Sequence, residues 1–293
     1  SAVFLPDGYL APLVAAQAIA DESTHVFIDE YAHAALLDAA RAFPGSAKTF
    51  KHRDAASLRR LLVKLGSHAR PIVLTDGMFA HDGSVAPLRE YLKILPRRSL
   101  ILVDDAHGAG VLGATGRGSL EFAAVGRQRI IQCATLSKAF GAYGGVVLGS
   151  RALREKILAR SRAFIGATPV PPPLAGAALA GLKILQAEPA RRERLFENAA
   201  YLRTRLRRAG WEISETPGPI VRLPSSTEKQ AGQLKTRLLA AGIYPPFLKY
   251  GKAAAQGVFR IVVSSEHTRG ELNQLIAALQ PYTSNPSTKG ETA

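Results

Sequence analysis

The sequence predicts an α/β chain: a mostly parallel central sheet with helices on both faces, followed by a smaller C-terminal α+β domain. Three observations carry this. Short apolar runs at residues 71–75, 100–103, 129–135 and 145–148 each stop at glycine or polar residues, as strands buried on both faces do. Stretches of helical periodicity lie between the earlier ones, the alternation expected of parallel strands joined by crossovers. Beyond Gly210 the character changes to short strands alternating with helices. We therefore divide the chain into a large domain (1–187), a small α+β domain (188–282) and a polar, disordered tail (283–293).

Taken in order, residues 1–5 form an apolar run, and Asp7-Gly8-Tyr9 turns into a helix with Leu13, Ala16, Gln17 and Ala20 at helical spacing. A glycine turn opening a helix suits a phosphate, because free N–H groups and the positive dipole end point outward; an ordinary strand-to-helix turn fits the same residues. Residues 25–29 read as a strand, and Tyr31-Ala32-His33-Ala34 begins the next helix. A loop and amphipathic helix follow at 51–65, then the strand at 71–75, the loop at 76–83 and a helix at 87–95. After Leu148 a helix carries Leu153, Ile157 and Leu158. Residues 166–173 hold Pro169, Pro171, Pro172 and Pro173, a stiff extended connector, since each proline fixes φ and removes a donor. Helices are predicted at 174–186, 191–208, 228–240 and 268–279, and strands at 211–214, 220–223, 242–244 and 259–263.

Composition narrows the class. A chain of 293 residues with 47% hydrophobic and 21% charged residues is an ordinary globular one. No apolar run is long enough to span a bilayer and no signal peptide opens the sequence, so the expectation is a cytoplasmic protein with no membrane partner. The one cysteine, Cys133, sits in a predicted buried strand and reads as an inert core thiol. The formal charge of +15 raises nucleic-acid binding, but the basic residues are spread over helix faces such as Arg59, Arg60 and Lys64, or Arg191, Arg192 and Arg194. We read them as solvated faces, with no nucleic-acid partner.

The chemistry concentrates at strand ends. The run ending at Val103 stops at Asp104 and Asp105, and the run ending at Thr135 stops at Ser137 and Lys138. Ligands of open α/β sheets bind at the carboxyl ends of strands. An acid and an amine at neighbouring ends could protonate a heterocycle and form an imine with a carbonyl. Each residue alone also fits a surface role. Gly108-Ala109-Gly110-Val111-Leu112-Gly113 matches a dinucleotide fingerprint formally, but Gly116 and Gly118 follow at once and no strand ending in an acid comes in the expected place. There is no Walker A motif, and no Cys/His spacing suits a metal.

The motifs Val103-Asp104-Asp105-Ala106-His107-Gly108, Thr135-Leu136-Ser137-Lys138-Ala139-Phe140-Gly141 and Thr75-Asp76-Gly77-Met78-Phe79, in that spacing, resemble pyridoxal-phosphate (PLP) enzymes of the aspartate-aminotransferase fold. The resemblance is to the α-oxoamine synthase family, which condenses an amino acid with an acyl thioester, and it runs from about Phe4 to the helix before Pro281. It implies a PLP-dependent transferase in which Lys138 forms the Schiff base, Asp104 faces the pyridine nitrogen, and His107 lies near the phenolic oxygen. It also implies that His33 stacks on the ring, that Thr135, Gly8 and Tyr9 help hold the cofactor, and that Thr168 reaches the phosphate of the partner subunit's cofactor. Arg260 would bind the substrate carboxylate, bidentately and with a permanent charge. The implied partners are an amino acid, an acyl-CoA and a second copy of the chain, in a homodimer with shared sites.

The sequence departs from the family in three places. Pro12 stands where an Asn is usual, Ala80 where a Ser is common, and the family carries a segment before the point where this sequence starts, so it is either a fragment or able to dispense with that segment. An aminotransferase on the same scaffold and an inactive homologue with a binding role stay open as alternatives.

Overall fold

Alternation along each strand explains why the apolar runs are continuous. Val26 and Ile28, Ile72 and Leu74, Leu102, and Ile131 and Cys133 pack into one core, while Phe27, Val73, Ile101 and Val103, and Ile130 pack into another. Successive side chains leave a strand on opposite faces, so a sheet covered on both sides needs apolar residues at every position. The computed structural model describes residues 1–21, 24–66, 69–223, 227–244, 247–248 and 257–279. The expected tail at 283–293 lies outside the described residues.

The central sheet consists of β1 (Ala2–Leu5), β2 (Thr24–Asp29), β3 (Lys48–Phe50), β4 (Arg70–Asp76), β5 (Leu100–Asp104), β6 (Ile130–Thr135) and β7 (Gly145–Leu148), in the order β1-β7-β6-β5-β4-β2-β3. The strands from β6 to β3 are parallel, whereas β7 pairs antiparallel with both β6 and β1. β7 (145–148) is thus the exception in a sheet that is otherwise mostly parallel, as expected. Only the nine-residue segment 136–144 separates β6 from β7, too short for a parallel crossover, so the pair closes as a hairpin. Because β1 runs opposite to β7, it runs with β6, and its carboxyl end reaches the same sheet edge as Asp29, Asp76, Asp104 and Thr135.

Helices α1 (Leu10–Ile19), α2 (Ala34–Ala40), α6 (Arg151–Arg160) and α7 (Arg162–Ile165) contribute to the first core; α3 (Ala55–Leu62), α4 (Leu88–Ile94) and α5 (Ser119–Phe122) contribute to the second. In α1 the buried residues Ala11, Ala15, Ala16 and Ala18 are small enough to bring the helix close to the sheet. The glycine run at 108–113 opens no helix but forms consecutive turns, with Gly110 and Gly113 at positive φ, which ends the dinucleotide reading. The connector expected to be extended over 166–173 is shorter than that: Gly166 closes α7 in the αR region, Pro171 has φ −56° and ψ 137°, and α8 (Pro172–Ala187) already starts at Pro172 and Pro173, where the missing N–H costs nothing.

The chain divides into two compact units, Ser1–Ala80 with Ser84–Pro189, and His81–Gly83 with Ala190–Ala293. The second holds α9 (Pro189–Arg208), α10 (Glu228–Ala240) and α11 (Arg269–Leu279) with a sheet of β8 (Ile220–Leu223), β10 (Val258–Val262) and β9 (Phe247–Leu248), antiparallel throughout. Two expected strands are absent. At 211–214 the backbone is engaged elsewhere: Trp211 N–H bonds back to Leu206 in α9, and the Ile213 carbonyl accepts from Arg207. At 242–244, Gly242 takes a positive φ and Ile243 N–H returns to Leu238, a helix-terminating turn. Trp211 and Ile213 are still buried in the second unit's core, so the segment keeps the apolar pattern of a strand without its ladder hydrogen bonds.

Candidate active site

The parallel register sets the site. Asp76 and Asp104 are direct partners on β4 and β5, and Asp104 pairs with Cys133 on β6, two residues before Thr135. By alternation Asp76, Asp104 and Thr135 all leave the sheet on the face covered by α1 and α2. Asp104 is 7% exposed and its Oδ1 accepts the Ala106 N–H at 3.1 Å. Burial pushes its carboxyl above the ordinary range, and the Ala106 N–H, then His33 and Lys138, pull against that rise. Cys133, beneath it, has its thiol pushed up by burial and then by the Asp104 charge, as an inert core residue should.

Lys138 stands on the hairpin between β6 and β7. Leu136 N–H bonds the Gly144 carbonyl and Ala142 N–H bonds the Leu136 carbonyl, so the loop is pinned at its base. Gly110 lets the loop approach: a Cβ there, at φ +82°, would sit 2.5 Å from the Ala139 Cβ. The Lys138 side chain is exposed, and its Nζ lies 2.9 Å from Nε2 of His107.

The turn after β1 meets the end of β6. A Cβ on Gly8 would fall 2.5 Å from the Thr135 Cβ and 2.6 Å from its Oγ1, so glycine is required there. Thr135 Oγ1 is bonded to Ser137 Oγ at 2.7 Å and to the Gly144 carbonyl at 3.3 Å. Tyr9 donates its N–H to Asp7 Oδ1 and its hydroxyl to Asp38 Oδ2 at 2.6 Å, so the Tyr9 N–H is already engaged and must leave Asp7 to meet an anion. The Asp38 carboxylate holds the Tyr9 hydroxyl proton and pushes its pKa up. The Tyr9 and His33 rings are 5.9 Å apart, edge to face. His33 caps α2, with Nδ1 accepting the Ala35 N–H at 3.2 Å, and its own N–H donates to Asp76 Oδ2 at 2.9 Å.

The structure thus joins Gly8 to Thr135, Tyr9 to His33, His33 to Asp76 beside Asp104, and Lys138 to His107. Two expected residues take no part in these contacts. Thr168 is exposed in the segment between α7 and α8. Arg260 belongs to the second unit, in β10 opposite Arg222.

Sequence reasoning assigned no role to Asp76 or Asp105. Asp105 leaves the sheet on the opposite face from Asp104 and is fully buried. Its Oδ2 accepts the Ser119 N–H at 2.9 Å and Gln132 Nε2 at 2.5 Å. A Cβ on Gly77, Gly108 or Gly118 would come within 2.2 Å of its carboxylate, so three glycines on two loops, after β4 and after β5, close around one side chain. Burial raises its pKa to about 7, against the lowering by these donors. The signal was present as paired acids followed by closely spaced glycines, but only the fold shows which glycines touch the acid.

The family model described as aminotransferase class I and II matches residues 1–279. The chain is 39% identical over 281 residues to a protein named putative 8-amino-7-oxononanoate synthase from Desulforudis audaxviator, covering 95% of this chain and 72% of that one. Its structure is similar, with a TM-score of 0.90 and 26% identity, to serine palmitoyltransferase from S. paucimobilis with bound PLP and myriocin, over 96% of this chain and 72% of the other. It also resembles 8-amino-7-oxononanoate synthase from Francisella tularensis, with a TM-score of 0.84 and 26% identity, over 96% and 81% of the two chains.

Proposed function

This chain belongs to the class I and II aminotransferase family, and from that premise we propose that it is a PLP-dependent α-oxoamine synthase, joining the carbanion of an amino acid to an acyl thioester. The single observation that carries the reading is the strand-end arrangement of Asp104, buried on β5, with Lys138 and His107 bonded to each other on the adjoining loops. The relatives named above as synthases and palmitoyltransferase support condensation over the transamination suggested by the family's name.

The residues fit the cofactor. A buried carboxylate with one backbone donor suits a cationic ring nitrogen, the glycine cradle of Gly8 against Thr135 leaves room beside a hydroxyl pair, and an exposed amine stands within reach of an imidazole. When bound, PLP supplies an electron sink for a carbanion. Asp104 then contributes a fixed negative charge in a dry site, where it counts for more than in water. His107 Nε2 is placed to take a proton from Lys138 Nζ, leaving the neutral amine that acts as nucleophile and base. His33, held at the N-terminus of α2, offers a flat ring beside Asp104, and Thr135 with Ser137 offers hydroxyl donors. Arg260 is our candidate for the substrate carboxylate. These residue roles, the domain division and a cytoplasmic location all belong to the proposal.

We extend it to a homodimer in which Thr168 serves the neighbouring subunit's site. In support, α8 has no buried residue, yet it is apolar along its length, with Leu179 53% and Ile184 43% exposed and Ile165 just before it 61% exposed. A helix hydrophobic all round belongs in an interior or an interface.

The direct test is borohydride reduction after incubation with PLP, followed by peptide mapping. Pyridoxyl on Lys138 is expected; label on another lysine, or none, overturns the reading. The visible absorbance of the purified protein with and without added PLP gives the same answer faster.

A further inference from the structure

Three buried carboxylates end adjacent strands of the first unit, and they are not equally satisfied. Asp29, ending β2, accepts the N–H groups of Tyr31 and Arg53 at 2.9 Å each and stands 2.9 Å from Nδ1 of His52. Two backbone donors and an imidazole nitrogen thus surround the Asp29 carboxyl. Asp104, ending β5, accepts one backbone N–H and has the neighbourhood of Lys138. Asp76, ending β4 between them, is 3% exposed and accepts a single N–H, that of His33. Asp76 and Asp104 are register partners on strands about 4.8 Å apart, pointing to the same face. Two like charges at that spacing cannot both be kept where water is excluded, so one proton must be retained by the pair.

We propose that Asp76 is a positioning residue that works in its protonated, neutral form: it holds the His33 backbone N–H, and so the His33 ring, while leaving the single negative charge of the pair on Asp104. The charges near Asp76, on both faces of the sheet, oppose or favour its ionisation. Asp104 on β5 and Asp29 on β2 oppose its ionisation, Lys138 on the β6–β7 loop favours it from farther off, and burial pushes its carboxyl well up. A neutral carboxyl also carries a donor, and its register partner on the same face is Asp104. The arrangement would keep Asp104 charged for a cationic ring nitrogen while the ring-facing imidazole is fixed from the same strand end. This deepens the cofactor reading above and rests on it for the purpose, though not for the protonation state.

Two substitutions in the full-length chain test it. Asp76→Asn preserves a neutral acceptor and a donor; Asp76→Ala removes both. Infrared difference spectra of wild type against Asp76→Asn, recorded at neutral pH without added PLP, should show a protonated-carboxyl stretch lost in the mutant. Titration with PLP should give a dissociation constant within about threefold of wild type for Asp76→Asn and about tenfold weaker for Asp76→Ala. The pH profile of the bound cofactor's visible absorbance should be unchanged in Asp76→Asn. A flat infrared difference overturns the protonation state, and Asn as damaging as Ala shows that charge was needed. If wild type itself binds no PLP, the functional reading fails while the infrared result still decides the state of Asp76.

Discussion

Asp104 and Asp105 are neighbours in sequence, but their side chains leave the sheet on opposite faces and have different tasks. Asp104 faces the proposed cofactor side, where its charge matters and its volume is easily matched. Asp104→Asn should therefore keep PLP binding within about tenfold but slow exchange of the substrate α-proton by about 10²–10³-fold. Exchange at the wild-type rate would remove Asp104 from its assigned role. Asp105 serves stability, and its pH dependence has a definite sign. Its folded pKa of about 7 lies above the usual 3.8, so the folded state holds a proton that the unfolded chain releases. That contribution is complete below about pH 4 and is lost as pH rises toward 7. Asp105→Asn cannot ionise, so urea unfolding at pH 5 and pH 7 should show a smaller fall in stability than wild type, by up to a few kcal/mol. An equal fall in both proteins would mean that Asp105 does not titrate in this range.

Among the elements, the turn joining β1 to α1 is the one most tightly built against the site. Gly8→Ala places a methyl carbon on Thr135 and must shift either the turn or the end of β6. The expected cost is about 1–3 kcal/mol of stability, together with weakened PLP binding. Gly66→Ala, at an exposed position with nothing within 4 Å, is the control and should change neither. A Gly8→Ala protein that melts and binds like wild type would show that the contact relaxes freely. The elements also show what was legible beforehand. Runs such as 71–75 and 100–103 were readable as strands because both sheet faces are covered, so composition alone marks them. The short β3 escaped, since three residues, two of them exposed, carry no pattern. The antiparallel turn of β7 escaped because an apolar run does not encode direction; only the length of its loop does. In the site, Asp104 and Lys138 could be found because they stand at or just past strand ends, whereas His107 and Thr135 took their roles from the family resemblance. Asp76 shares the strand-end position, but its significance comes from Asp104 across the ladder, a relation between strands that no single run of sequence contains.

At the scale of the whole molecule, two features of the surface call for partners of different kinds. The net charge of +15 is spread over helix faces, and a basic protein of this sort favours anionic ligands such as an acyl-CoA without selecting among them. Binding to nucleic acid should accordingly be weak and fall steeply between low and physiological salt; tight, sequence-selective binding at physiological salt would contradict this. The apolar exposure of α8 makes a sharper demand. Leu179 is 53% exposed, so replacing it with Lys removes little from the folded subunit and should leave its melting at low protein concentration nearly unchanged. In a dimer that covers α8, the same change buries a charge without a partner and should shift the sedimentation equilibrium toward monomer. Thr168 lies only a few residues before α8, on the connector proposed to reach the neighbouring site, so losing the dimer should also weaken PLP binding. The double expectation for Leu179→Lys is therefore a concentration-dependent monomer whose cofactor affinity recovers as protein concentration rises. A monomer that binds PLP as tightly as the wild-type dimer would separate the two halves of the proposal, keeping the interface and rejecting the shared site. An undisturbed dimer would move the interface away from α8.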